Sequence, residues 1–322
     1  MDVHDPRTVA DFQKFTFSGH LRPHVLKVID ENIKLGNADY CCYWSLEMLC
    51  SGLVHSLWQT FFESSARHIH RGAPNVFLYL VQKYETFSTY EQRYTPIQMT
   101  QIRNSADVRN LICEVAATLA LCRKQKVLAF PKIKIEHDFQ PLTIQENLKA
   151  PSPNFARHII DPQDPLELYV PINELTYSLG VKDCIRSFYW TAWIMKYASQ
   201  KKKEKVEFAC AHRPNSFIDD KFSNQPIWLI WTIVLDAAKT SPQAGILNPY
   251  MDALFKLYSL RWNPGSMKQK NVFLLAAITF VCESSTLDIH YKVPGDFHTI
   301  QTVVANIPQW ILAILETKKT FS

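Results

Sequence analysis

Apolar residues that recur every three or four positions, in long runs broken by few glycines, constrain this chain more than any other feature. In HLRPHVLKVIDENIKLGN, Val25, Leu26, Ile29 and Ile33 share one helix face, and Gly36 with Asn37 supplies a stop. From Asp39 to about Cys50, the residues Cys42, Trp44, Leu46, Met48 and Leu49 point to so many sides that this helix is expected to be buried nearly all round. A third stripe runs through Val54, Leu57, Trp58, Phe61 and Phe62. Ser105 is placed to cap ADVRNLICEVAATLALCRK, where Val108, Leu111, Ile112, Val115, Leu119 and Leu121 form the inner face. Only 8 of 322 residues are Gly, which disfavours many-turned β folds. The expected class is all-α and multi-helical, in a chain long enough to bury about three quarters of the surface of its unfolded form.

Prolines divide the chain. Pro131, Pro141, Pro151, Pro153, Pro162, Pro165 and Pro171 interrupt regular structure, and KIKIEHDF alternates like a short strand. The predicted organisation is a helical half over 1–130, a Pro-rich connector with minor β content over 131–172, and a second helical half over 173–322. The halves share features. KLGNADYCCYW, ending at Trp44, and SLGVKDCIRSFYW, ending at Trp190, have in common Leu-Gly, an Asp and Tyr-Trp, with two extra residues before the pair in the second. LICEVAATLALC and VFLLAAITFVCE then close each half on a similar apolar run. A tandem duplication and coincidental helix-core composition both account for this.

The 8 cysteines include no C-x-x-C pair and read as buried thiols of a reducing, intracellular compartment: cytoplasm, nucleus or a viral replication site. MDVHDPRTVADFQKF lacks a basic segment followed by an apolar one, and no run of 18 uncharged apolar residues occurs, so no membrane association is expected. A net charge of +5 permits a phosphate-binding face without demanding one. The lysines and arginines cluster at Arg123, Lys124 and Lys126, at Lys132 and Lys134, at Lys201, Lys202, Lys203 and Lys205, and at Lys268 and Lys270. Cations at helix ends also serve the helix dipole, which is the plainer explanation of each cluster.

YWSLEMLCSG at Tyr43 to Gly52, the helix through Leu57, and Ala66 to Gly72 resemble the helical C-terminal region of the replication-associated recombination AAA+ ATPases. These are clamp-loader relatives that include the Werner-helicase-interacting proteins. The Tyr-Trp pair followed by Leu and Gly matches without a gap from Tyr43 to Ala66, and TLALCRKQKVL resembles that family's Leu/Ala run leading into a basic stretch. The likeness covers about residues 38 to 130. The family's acidic turn is replaced by Arg67, His68 and Ile69, and no G-x-x-x-x-G-K-[ST] loop occurs to cradle a triphosphate. What the resemblance implies is a clamp-loader-collar-like helical part without its motor, a part that holds subunits together.

The expected function is therefore non-catalytic: a homo-oligomer that supports DNA replication or recombination, in a setting such as a large DNA virus, without a cofactor. Sequence-independent DNA contact is assigned to Arg123, Lys124, Lys126, Lys201, Lys202, Lys203 and Lys205, since lysine runs neutralise phosphates but read bases poorly. Tyr43, Trp44, Glu47, Gly52, Tyr189 and Trp190 are the structural motif. Glu47, an acid in an apolar helix, must find a partner. The pairs Trp190 with Trp193 and Trp228 with Trp231 read as core before they read as stacking platforms. His68 and His70 make a poor zinc site, because alternate helix positions diverge and Arg67 and Arg71 repel a cation. The competing functions are a protein-only scaffold or virion protein, and an enzyme whose site is built from distant residues.

Overall fold

The computed structural model describes residues 2–321, apart from the side chains of 96, 97 and 319–321. It is all-helical, and among the described residues there is no strand, only an isolated bridge between Phe15 and Leu21. The helices are α1 (Arg22–Leu35), α2 (Ala38–Cys50), α3 (Val54–Ser64), α4 (Val76–Glu91), α5 (Ala106–Leu121), α6 (Ile135–Asp138), α7 (Pro141–Asn147), α8 (Tyr169–Gly180), α9 (Cys184–Lys203), α10 (Pro226–Thr240), α11 (Ala244–Ser259), α12 (Met267–Cys282), α13 (Phe297–Ala305) and α14 (Ile307–Phe321). No helix among the described residues is long and apolar enough to cross a membrane.

Two compact units result: Met1–Lys126 with Asp288–Ser322, and Val127–Leu287. Two expectations are corrected here. The residues after 287 leave the second half and join the first unit. Asn75 donates its amide to the carbonyls of Ile289 and Tyr291, both at 2.8 Å, Arg123 pairs with Asp288 at 3.0 Å, α13 packs on α5, and α14 packs on α2. The Pro-rich connector is not a separate segment, and its expected strand is absent. A strand needs a partner edge, and instead the Asp138 carboxylate accepts the Lys134 amide at 2.6 Å and starts a helical turn. That turn is fastened to α9, where Trp193 Nε1 donates to the Asp138 carbonyl at 2.9 Å.

In the first unit α2 packs on α1, α3 and α5, and nine of its thirteen residues are buried, as its pattern requires. Ser105 caps α5, accepting the Val108 amide at 3.4 Å. In the second unit α8 packs on α9, α10 and α12, the same relation that α1 has to α2, α3 and α5. The junctions match in detail. Gly36 is left-handed (φ 83°) and Asn37 donates its amide to the Asn32 carbonyl; Lys182 is left-handed (φ 59°) and Asp183 donates to Ser178. Asn37 and Asp183 are then the N-caps of α2 and α9. The Tyr-Trp pair follows each cap at the same distance in sequence, so the two apparent extra residues vanish once Gly36 is matched to Lys182 rather than to Gly180. The ring pairs also agree, at 5.1 Å and 84° for Tyr43 and Trp44 and 5.1 Å and 79° for Tyr189 and Trp190.

Candidate functional site

Glu47 is fully buried on α2 and is a structural clasp. The Ser18 amide donates to its Oε1 at 2.7 Å, and Ser18 Oγ lies 2.9 Å from its Oε2 and 3.1 Å from the Ile314 carbonyl of α14. Ser18 therefore ties the N-terminal segment to α2 and to α14 at one point. Burial raises the pKa of Tyr43, whose hydroxyl meets Thr317 on the same helix as Ile314, and Trp44 stands edge-on to His20 at 5.1 Å. Gly52 is left-handed (φ 69°), and a Cβ there would come within 3.0 Å of Val9 and 3.2 Å of Thr100, so the close approach of these segments requires glycine. Trp190, Trp193, Trp228 and Trp231 are all buried, which makes them core.

Two cations of the first cluster are already engaged within the fold. Lys124 lies just past the end of α5 and its ammonium donates to the carbonyls of Leu119, Ala120 and Cys122 at 2.9, 2.7 and 2.5 Å. These are carbonyls that the helix end leaves without an internal partner. Burial pulls the Lys124 pKa below its ordinary value. Arg123 donates to the Gly72 carbonyl at 2.7 Å, pairs with Asp288, and covers the Tyr291 ring at 5.1 Å. Lys126 is exposed. Lys124→Met is accordingly expected to destabilise the first unit by about 1–3 kcal/mol, measured by urea unfolding, because charge-assisted bonds to three carbonyls disappear.

The other basic cluster belongs to the second unit. Lys202, Lys203 and Lys205 are exposed at the C-terminal end of α9, where cations favour the helix dipole. Lys201 sits 5.2 Å over the Tyr197 ring and 3.8 Å from Glu204. Tyr197 is itself stacked on Trp193 (5.0 Å, 9°) and meets Phe139 and Phe208 edge-on, so α9 projects its lysines from a rigid aromatic base. Beside that end lies a half-open cleft of about 640 Å³ with Lys202 and Lys205 among its lining residues. The chain leaving α9 forms one wall and then runs to Arg213, where it is anchored. Arg213 grips the buried Asp164 carboxylate with both guanidinium nitrogens, at 2.9 and 2.7 Å, and the amides of Ala211 and Asp161 donate to the same group at 3.0 Å each.

Sequence reasoning missed this anchor and the cleft walls, because Asp164, Arg213 and Trp262 lie in separate loops with no periodic signal. Lys270, read in the sequence as part of a basic cluster, is instead buried on α12 and donates to the Tyr258 and Leu260 carbonyls at 2.9 and 2.8 Å. The second unit thus secures the end of α11 as Lys124 secures the end of α5. His68 pairs with Asp30 at 3.0 Å, alongside Arg67 at 2.8 Å, whereas His70 is buried with its pKa pulled down to about 3 by burial and by Arg71. No group of three or more metal-ligating side chains occurs among the described residues. No family model, curated protein or solved structure matches the chain.

Proposed function

We propose that this protein is a non-catalytic helical assembly protein of DNA replication or recombination, built from two related clamp-loader-collar-like units, and that it contacts DNA without sequence preference through the end of α9. The observation that carries the DNA reading is the lysine run itself. Lys201, Lys202, Lys203 and Lys205 crowd one helix terminus, with the carboxylates Glu204 among them and Glu207 two residues beyond. Ammonium groups on flexible stems neutralise phosphates and carry no base code, which fits backbone contact. In the first unit, Arg123 Nε and Nη2 and the Lys124 ammonium are engaged within the fold, so the proposal rests on the α9 cluster alone. The recurrence of an αL position, an N-cap position and the Tyr-Trp geometry at the same spacing in both units supports duplication of one helical module.

Two measurements test this reading. Light scattering at tens of micromolar is expected to show a homo-oligomer, since collar-like modules act by holding subunits together; a monomer at every concentration would count against assembly. Fluorescence anisotropy at low salt is expected to show equal affinity for DNA duplexes of unrelated sequence. An absence of DNA binding there would favour the protein-only scaffold.

A further inference from the structure

The cleft beside α9 adds apolar walls and a strained rim to the lysines on which the DNA reading rests. Its walls are apolar: Met195 from α9, Val206 and Phe208 from the chain leaving it, Trp262 from the segment after α11, and Met267 at the start of α12. Val206 is exposed and Met195, Phe208 and Met267 are only half-buried, so apolar surface faces solvent inside a concave site. Its volume of about 640 Å³ falls within the roughly 300–1,000 Å³ typical of binding clefts.

The rim carries more positive than negative charge. Lys202 and Lys205 line the cleft, the exposed Arg261 and Lys268 directly flank the wall residues Trp262 and Met267 in sequence, and Glu207 is the one carboxylate among the lining residues. The backbone at the rim is also held in an unfavourable state. The amides of Lys205 and Val206 close the end of α9 on the carbonyls of Lys202 and Lys201, at 3.2 and 3.1 Å, which puts Lys205 in the left-handed position that glycine ordinarily fills. Arg261, after α11, is left-handed too (φ 52°). Lys205, which lines the cleft, thus places a cation where glycine would be less strained.

We infer that this cleft is a docking site for a short linear segment of a partner protein, in which bulky apolar side chains enter between Val206, Trp262 and Met267 while flanking Asp or Glu residues meet Lys202 and Lys205. The bases of duplex DNA stay stacked inside the helix and cannot insert between such walls. A peptide with alternating acidic and apolar residues matches both the walls and the rim, and the strain at Lys205 keeps a charge where its carboxylates would lie.

The test pans a phage library of random octapeptides against the full chain and measures the leading sequence as a synthetic peptide by anisotropy. The expected result is enrichment of acidic sequences with large apolar residues. Affinity should fall at least tenfold in a Lys202→Gln, Lys205→Gln variant, and at least tenfold in a Val206→Ser, Met267→Gln variant that keeps every charge and the parent's DNA affinity. Lys205→Gly should weaken the peptide while leaving the melting temperature equal or higher, which separates binding from folding. No enrichment, enrichment of basic or uncharged sequences, or affinity unchanged in both double variants would overturn the proposal. So would oligothymidine binding that is lost in the Val206→Ser, Met267→Gln variant, since the cleft would then be a nucleic-acid site. Loss of DNA binding by the parent alone touches only the DNA reading.

Discussion

Glu47→Ala is expected to lower the unfolding free energy of the first unit by about 3–5 kcal/mol, whereas Glu47→Gln should cost less than about 1.5 kcal/mol. The difference follows from the donors around the carboxylate. Alanine leaves the Ser18 amide buried without its acceptor and opens a void in fully packed α2. The amide of the Gln variant still accepts from the Ser18 N–H through its oxygen. Its NH₂ then donates to Ser18 Oγ, which frees the hydroxyl proton for the Ile314 carbonyl, so every group keeps a partner. Urea unfolding followed by tryptophan fluorescence measures both variants. Equal, large losses would mean that negative charge rather than hydrogen bonding is what α2 requires.

Asp164→Ala should be as damaging in the second unit, at about 3–5 kcal/mol, because it strands the Arg213 guanidinium and two amides around one removed carboxylate. Arg213→Lys should lose less, since it keeps the charge and gives up the planar two-nitrogen grip. Acid dependence checks the same anchor. Burial opposes ionisation of Asp164, but the Arg213 hydrogen bonds and the amides of Asp161 and Ala211 outweigh it and hold its pKa below the usual carboxylate value. A group held lower in the folded state stabilises fully above its unfolded pKa, near 4, and loses that contribution as pH falls through the folded value. Stability of the second unit should therefore fall as pH drops below about 4, and fall less steeply in Asp164→Ala.

Helices and their ends were legible because their signals are local. The spacing of Val25, Ile29 and Ile33, the left-handed Gly36 and the cap at Ser105 are each decided within one or two turns. Glu47 was legible as a residue needing a partner, but Ser18 and Ile314 were not, since their meeting depends on long-range packing. The return of Asp288–Ser322 to the first unit had no sequence signal for the same reason. KIKIEHDF misled because its alternation of Ile133 and Ile135 with lysines satisfies the strand pattern, while a strand also needs an edge to pair with and Asp138 offered its backbone a helical turn instead. Lys124 and Lys201 look alike in sequence and differ in the structure: one ammonium is spent on three helix carbonyls, the other stands over an aromatic ring at the surface.

The decisive measurement for the functional reading is the salt dependence of DNA affinity, compared between the parent and a Lys201→Gln, Lys202→Gln, Lys203→Gln variant with an unchanged circular-dichroism spectrum. If these side chains neutralise phosphates, the plot of log affinity against log salt should flatten by up to about 0.9 for each phosphate no longer neutralised, weakening duplexes of every sequence alike. A slope and affinity identical to the parent's would contradict DNA contact by the end of α9.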